Sequence, residues 1–121
     1  MQYRLHHVQL AVPPNREAEA RSFYVGVLGM EELPKPPGLA ARGGVWLRLA
    51  ASELHLGVEP GFRPAPKAHP AFEVDDFDGL RRRLHDHGLP MQDDVLLPGR
   101  RRFYVQDPFG NRLEFVSGDG G

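Results

Sequence analysis

From Leu5 to Val12 the chain alternates apolar with less apolar residues: Val8, Leu10 and Val12 share one face, His7, Gln9 and Ala11 the other. A period of two marks a half-buried strand. Pro13-Pro14-Asn15 stops it, and Asn15 is expected to cap a helix from Arg16 to Leu28. Ala20, Phe23, Val27 and Leu28 recur at spacings of three and four, a stripe suited to packing on the apolar strand face, and Gly29 is the expected C-cap. Met30 to Leu33 reads as a short strand and Pro34-Lys35-Pro36-Pro37-Gly38 as a loop. Alternation returns from Gly44 to Ala50, where Val45, Leu47 and Leu49 oppose Trp46 and Arg48. After a two-residue turn, Ala51-Ser52, it resumes from Glu53 to Val58, where Leu54, Leu56 and Val58 oppose Glu53, His55 and Gly57.

The same plan is then repeated. His69-Pro-Ala-Phe-Glu-Val-Asp75 echoes His7-Val-Gln-Leu-Ala-Val12, and each is followed by a helical run that ends in a glycine, Gly29 or Gly88. Asp75 or Asp76 is expected to cap the second helix, which reaches His87. Met91 to Leu97 is a weaker strand and Pro98-Gly99 a turn. Arg101 to Gln106 is a strand, Asp107-Pro108-Phe109-Gly110 a turn and Arg112 to Ser117 the last strand, before a tail over 118–121 that should fray. A duplication of this length implies an α+β domain of two βαβββ modules, residues 4–59 and 69–117. The proline-rich stretch 60–68 is a connector between them or a lid over a site.

Composition narrows the function. A chain of 121 residues is one domain's worth. Without cysteine, disulfides, thiolate metal sites and cysteine nucleophiles are excluded. Fifteen basic and sixteen acidic residues leave a net charge of -1, which gives no general attraction to nucleic acid or to a membrane surface. No apolar run approaches the ~20 residues that span a bilayer, and the start Met1-Gln2-Tyr3-Arg4 leads straight into a strand, so a cytoplasmic protein is expected. Twelve prolines and fourteen glycines argue against an all-helical bundle.

If one strand face meets the helices, the other is an inner surface whose residues follow by parity: His7, Gln9, Trp46, Arg48, His55, His69, Arg102, Tyr104, Arg112 and Glu114. Three histidines and one carboxylate on that surface, two from each module, suit Zn, Fe, Mn, Ni or Co. No short ligand spacing such as HExxH occurs, so convergence depends on the fold. Each histidine read alone is by default a surface or hydrogen-bonded residue and not a ligand, and Trp46 and Tyr104 by default pack. His6 points to the other strand face, while His85 and His87 lie beside Asp86 and three arginines; all three are expected to face solvent.

His7-Val-Gln-Leu-Ala-Val12, Phe23-Tyr24-Val-Gly-Val-Leu-Gly-Met30, His69-Pro-Ala-Phe-Glu-Val-Asp75 and Phe103-Tyr-Val-Gln-Asp-Pro-Phe-Gly-Asn-Arg-Leu-Glu114 together resemble the vicinal oxygen chelate superfamily. That group includes glyoxalase I, fosfomycin-resistance thiol transferases, extradiol dioxygenases and bleomycin-resistance proteins. The resemblance covers nearly the whole chain. It implies paired βαβββ modules whose mixed sheets curl into a cup or barrel, within one chain or, as favoured here, across a homodimer. It also implies a divalent metal held from the first and last strands of each module, and His7, His55, His69 and Glu114 fall on those four positions. Glyoxalase I uses all four, commonly with an acidic residue or glutamine where His55 stands; the transferases and dioxygenases use a set matching His7, His69 and Glu114.

Departures sort the branches. Gln9 and Arg102 stand where fosfomycin enzymes carry hydroxyl residues, and bleomycin-resistance proteins lack the metal set that is retained here. Extradiol dioxygenases are commonly longer. The expectation is a metal-dependent lyase, isomerase or dioxygenase of this type, with Glu114 as ligand and base. Gln9, Trp46, Arg48, Arg102 and Tyr104 would bind a small anionic, oxygen-chelating substrate. The competing expectation is a metal-free module that binds or sequesters a small molecule.

Overall fold

Two sheets of the same topology carry the chain. The structure, a computed structural model, describes residues 1–94 and 98–118. The chain divides into one unit spanning Met1–Arg63 and a second that begins at Pro64.

In the first unit, β1 (His7–Val12) lies parallel to β4 (Glu53–Val58). β4 pairs antiparallel with β3 (Val45–Arg48), and β3 with β2 (Glu31–Leu33), giving the order β1-β4-β3-β2. The second unit repeats this with β5 (Ala71–Val74), β8 (Arg112–Ser117), β7 (Arg102–Gln106) and β6 (Gln92–Asp94), in the order β5-β8-β7-β6. Each unit is therefore a βαβββ module built on an open, mixed four-stranded sheet.

The apolar strand faces form the cores. Val12, Val45, Leu47, Leu54 and Leu56 are buried in the first unit. In the second, Phe77 meets Phe103 edge-on at 5.2 Å between ring centroids, Phe103 lies 5.5 Å from Phe115, and Leu84 is fully buried. Burying a side chain of this size contributes about 1.5–3 kcal/mol. Helix α3 (Phe77–Asp86), which brings Phe77 and Leu84 inward, begins where Asp76 Oδ1 accepts the Gly79 N–H at 3.0 Å. It ends where the Gly88 and Leu89 N–H groups return to the carbonyls of His85 and Leu84, with Gly88 in the left-handed region.

The first helix departs from its expected form. α1 covers only Glu17–Arg21 and continues as a π-helical stretch, Ser22–Val27, in which the Leu28 N–H reaches back five residues to the Phe23 carbonyl. The wider turn rotates the apolar stripe, so Tyr24 is fully buried while Val27 and Leu28 are half-buried. Asn15 is not the cap: Arg16 holds that position without a side-chain cap bond, and Asn15 turns the chain with φ 63°. The proline-rich loop over 34–38 contains the start of a short helix, α2 (Pro37–Ala40), because proline fits the first helical turn.

Strand ends also differ. β5 starts at Ala71, not His69, since Pro70 has no N–H to give the ladder; its carbonyl accepts from the Glu114 N–H at 3.1 Å. The expected strand from Met91 to Leu97 is seen as Gln92–Asp94; its stretch 95–97, like the tail residues 119–121, lies outside the described residues.

Candidate functional site

Strand register puts the four expected metal-ligating residues at equivalent places in the two sheets. Gln9, two residues after His7, pairs with His55 across β1 and β4. Ala71, two residues after His69, pairs with Glu114 across β5 and β8. His7 with His55, and His69 with Glu114, are thus the same two positions occurring once in each unit. The structure brings each pair into contact. Among the described residues no group of three or more His, Asp or Glu side chains is placed so that it could hold a metal ion.

In the first unit the pair is aromatic. The His7 and His55 rings stack at 4.2 Å, and His55 stacks in turn on Trp46 at 4.1 Å with 6° between the planes. His55 is 5% exposed, and its Nε2–H donates to Glu53 Oε1 at 2.8 Å. That bond holds the Glu53 carboxyl below the usual carboxylate range. His6, expected to face solvent, is exposed, yet its Nδ1 lies 2.9 Å from His7 Nδ1. Gln9 packs its amide against Gly57, where a Cβ would meet Gln9 Nε2 at 2.5 Å. Trp46 and Arg48, with Lys35 and Glu53, line a cavity of about 490 Å³. Arg48 Nε donates to Glu31 Oε2 at 2.7 Å.

In the second unit the pair is ionic. His69 Nε2 lies 2.9 Å from Glu114 Oε1, and Glu114 is 7% exposed. His69 Nδ1 lies 2.7 Å from the Lys67 carbonyl oxygen. A carbonyl only accepts, so Nδ1 carries the hydrogen, and in the neutral ring the lone pair is on Nε2, facing the carboxylate. Two acceptors so close need a proton or a cation between them. A histidine whose Nδ1–H is held by a backbone carbonyl is also how proteins orient imidazole ligands for a metal. The donor set here, imidazole and carboxylate without thiolate, therefore fits a divalent ion.

Arg102 ties this pair to the sheet. Its Nη1 lies 3.4 Å from Glu114 Oε2, its Nη2 donates to Asp94 Oδ2 at 3.0 Å, and its buried Nε has no hydrogen-bond partner among the described residues. Tyr104, the register partner of Glu114, meets the edge of the His69 ring at 5.4 Å and carries the Arg112 guanidinium over its face at 4.0 Å. Arg112 and Tyr104 border a pocket of about 730 Å³. His85 and His87 are exposed, as expected.

The Asp107 turn fixes the register of these strands. Asp107, 5% exposed, accepts the N–H groups of Phe109 and Asn111 on Oδ1 at 2.9 and 2.8 Å, and the Asn111 side chain on Oδ2 at 3.0 Å. Gly110 follows with φ 91°, and a Cβ there would press on Pro64 at 3.2 Å. The Asp-Pro-x-Gly-Asn run is thus a hydrogen-bonded hairpin that sets Tyr104 opposite Glu114.

Residues 4–115 match the Glyoxalase/Bleomycin resistance protein/Dioxygenase superfamily. The chain belongs to this superfamily. Among solved structures, one from Bacillus anthracis described as a glyoxalase family protein is 46% identical, with 98% of each chain covered and a TM-score of 0.94. The oxidase ChaP-H2 is 26% identical over the whole of both chains, with a TM-score of 0.73. A lactoylglutathione lyase from Agrobacterium tumefaciens, 22% identical over 97% of this chain and 95% of its own, shares the fold with a TM-score of 0.73. Comparison with the curated proteins gave no match. The two βαβββ modules are thus a glyoxalase-like fold. Among the described residues no helix is long and apolar enough to cross a membrane.

The orienting partners escaped the sequence reading. Glu53 shares the face of His55 two residues away, so parity alone could have raised it. Asp94 sits in a strand of only three residues, Gln92–Asp94, and the Lys67 carbonyl leaves no mark in a sequence.

Proposed function

We propose that this chain is a divalent-metal enzyme of the glyoxalase or dioxygenase type, acting on a small anionic metabolite that chelates through neighbouring oxygens. The observation that carries this reading is the His69–Glu114 pair: a buried carboxylate 2.9 Å from an Nε2 whose ring is oriented by the Lys67 carbonyl. His69 and Glu114 are the ligands this reading starts from, and His7 and His55 are the corresponding candidates of the first unit, in a cytoplasmic homodimer. A bound divalent ion would supply Lewis acidity toward a substrate oxygen. Glu114 takes up a proton from the substrate, and Arg102, itself held by Asp94, keeps that carboxylate in place while it does so. Gln9, Trp46, Arg48 and Tyr104 complete the substrate-binding surface.

The second reading, a metal-free binding module, draws on the His7–His55–Trp46 stack, which presents a flat aromatic surface without any ion. Elemental analysis of protein purified without chelators or a histidine tag, beside His69→Ala and Glu114→Ala, separates the two. Near-stoichiometric metal in the wild type, lost in both variants, is the expected result. No metal, and none taken up from Zn, Ni, Mn or anaerobic Fe(II), would leave the binding module.

A further inference from the structure

The inner face of the second sheet has two ends of different chemistry. At one end every charged group has an opposite: His69 with Glu114, and Arg102 with Glu114 and Asp94. At the other lies the pocket of about 730 Å³, bordered by Gln92, Tyr104, Gln106 and Arg112 from the same strand face and by Met91 and three prolines, Pro64, Pro66 and Pro90. Among the described residues the pocket lining contains one cation and no carboxylate.

That cation is Arg112. Among the described residues it has no ion pair, and its guanidinium carbon lies 4.0 Å from the centroid of the Tyr104 ring. Arg48 and Arg102, the other arginines of the inner faces, are each taken up by carboxylates. This ring contact holds the guanidinium without pairing it to a carboxylate, which leaves its N–H groups for a ligand. A planar edge of parallel donors matches a carboxylate bidentately. Gln106, the register partner of Arg112, and Gln92, the partner of Tyr104, add neutral amides at the rim. Prolines, methionine and the tyrosine ring would take an apolar body.

We propose that Arg112 anchors the carboxylate of the small-molecule ligand in this pocket. Phosphate is disfavoured because a dianion with three oxygens calls for more cationic groups than one arginine. Arg112 and Glu114 stand two residues apart on one face of β8, about 7 Å at the rise of a strand. The ligand is therefore a carboxylic acid with an apolar or ring portion, held on the strand face that also carries Glu114. This deepens the proposed function and rests on it for the reaction, not for the binding.

The test is an amide NMR titration of the full chain with phenylacetate, phenylacetamide and inorganic phosphate, together with the metal content of each sample. Phenylacetate is expected to give saturable shifts at the backbone amides of Gln92, Gln106 and Gly110. Phenylacetamide should bind about tenfold more weakly or worse, as should phenylacetate to Arg112→Gln, with metal content unchanged in that variant. Equal binding of acid and amide, unchanged binding in Arg112→Gln, or no saturable shift at these amides would overturn the assignment. Phosphate binding as well as phenylacetate would overturn the choice of a carboxylate. The wild-type acid–amide comparison needs no variant to fold. Metal binding without phenylacetate binding would remove this anchor and leave the enzyme reading, and phenylacetate binding without metal would do the reverse.

Discussion

Glu114 Oε1 stands 2.9 Å from His69 Nε2, across an element boundary: Glu114 is in the middle of β8, His69 two residues before β5 begins. The pairing therefore depends on how the chain enters the strand, where Lys67 and Pro70 fix it. The Lys67 carbonyl takes the Nδ1–H, and the Pro70 carbonyl takes the Glu114 N–H. The His69 ring should keep its hydrogen on Nδ1 whatever stands at Nε2. Long-range ¹H–¹⁵N correlation spectra of the imidazole read this directly. A ring with a bare Nδ1 would contradict the arrangement.

Asp107→Ala should destabilise the protein by about 2–3 kcal/mol, because it strands the buried N–H groups of Phe109 and Asn111. Urea unfolding monitored by circular dichroism measures the loss. Asp107→Asn keeps one acceptor oxygen and should lose less. The same substitutions should loosen the opposition of Tyr104 and Glu114, since the turn joins their strands.

Glu17 predicts a pH dependence. The Gly44 N–H donates to Glu17 Oε2 at 2.9 Å, which lowers the carboxyl below its ordinary value of 4.5. A folded-state value below the unfolded one contributes stability that is present above the unfolded value and lost as pH falls through the folded one. Unfolding free energy measured between pH 7 and 3 should thus fall less steeply in Glu17→Gln than in the wild type. Parallel curves would show that the bond contributes nothing. Gly44 cannot offer an alternative, because its φ of 88° and the Leu56 carbonyl beside it leave no room for a side chain.

Strand parity made much of this molecule readable. It placed Val45, Leu47, Leu54 and Leu56 in the core and His55 and Glu114 on the opposite face, because in a sheet the side-chain direction follows from position alone. Tyr24 escaped for the complementary reason: a π turn changes the helical period, and nothing in Ser22–Val27 announces it. Arg48, Arg102 and Arg112 look alike in sequence. Their difference lies in which group each meets, the Glu31 carboxylate for Arg48, the Asp94 and Glu114 carboxylates for Arg102, and the Tyr104 ring for Arg112, and such meetings depend on three-dimensional neighbours. The duplication was visible as a repeated histidine. Register places His55 and Glu114 at equivalent positions of the two sheets, as the family resemblance implied.

The hydrogen-bonded hairpin at Asp107 gives the second sheet a further property. Its frame is set by buried backbone bonds, and the side chains of Gln92 and Gln106 on the far rim take no part in them. Exchanging those two glutamines changes what the rim can greet while the turn, the strand pairing and the Glu114 pair stay as they are. A lineage could thus alter this rim by small, reversible steps without disturbing the strand frame, which makes the sheet an adaptable chassis.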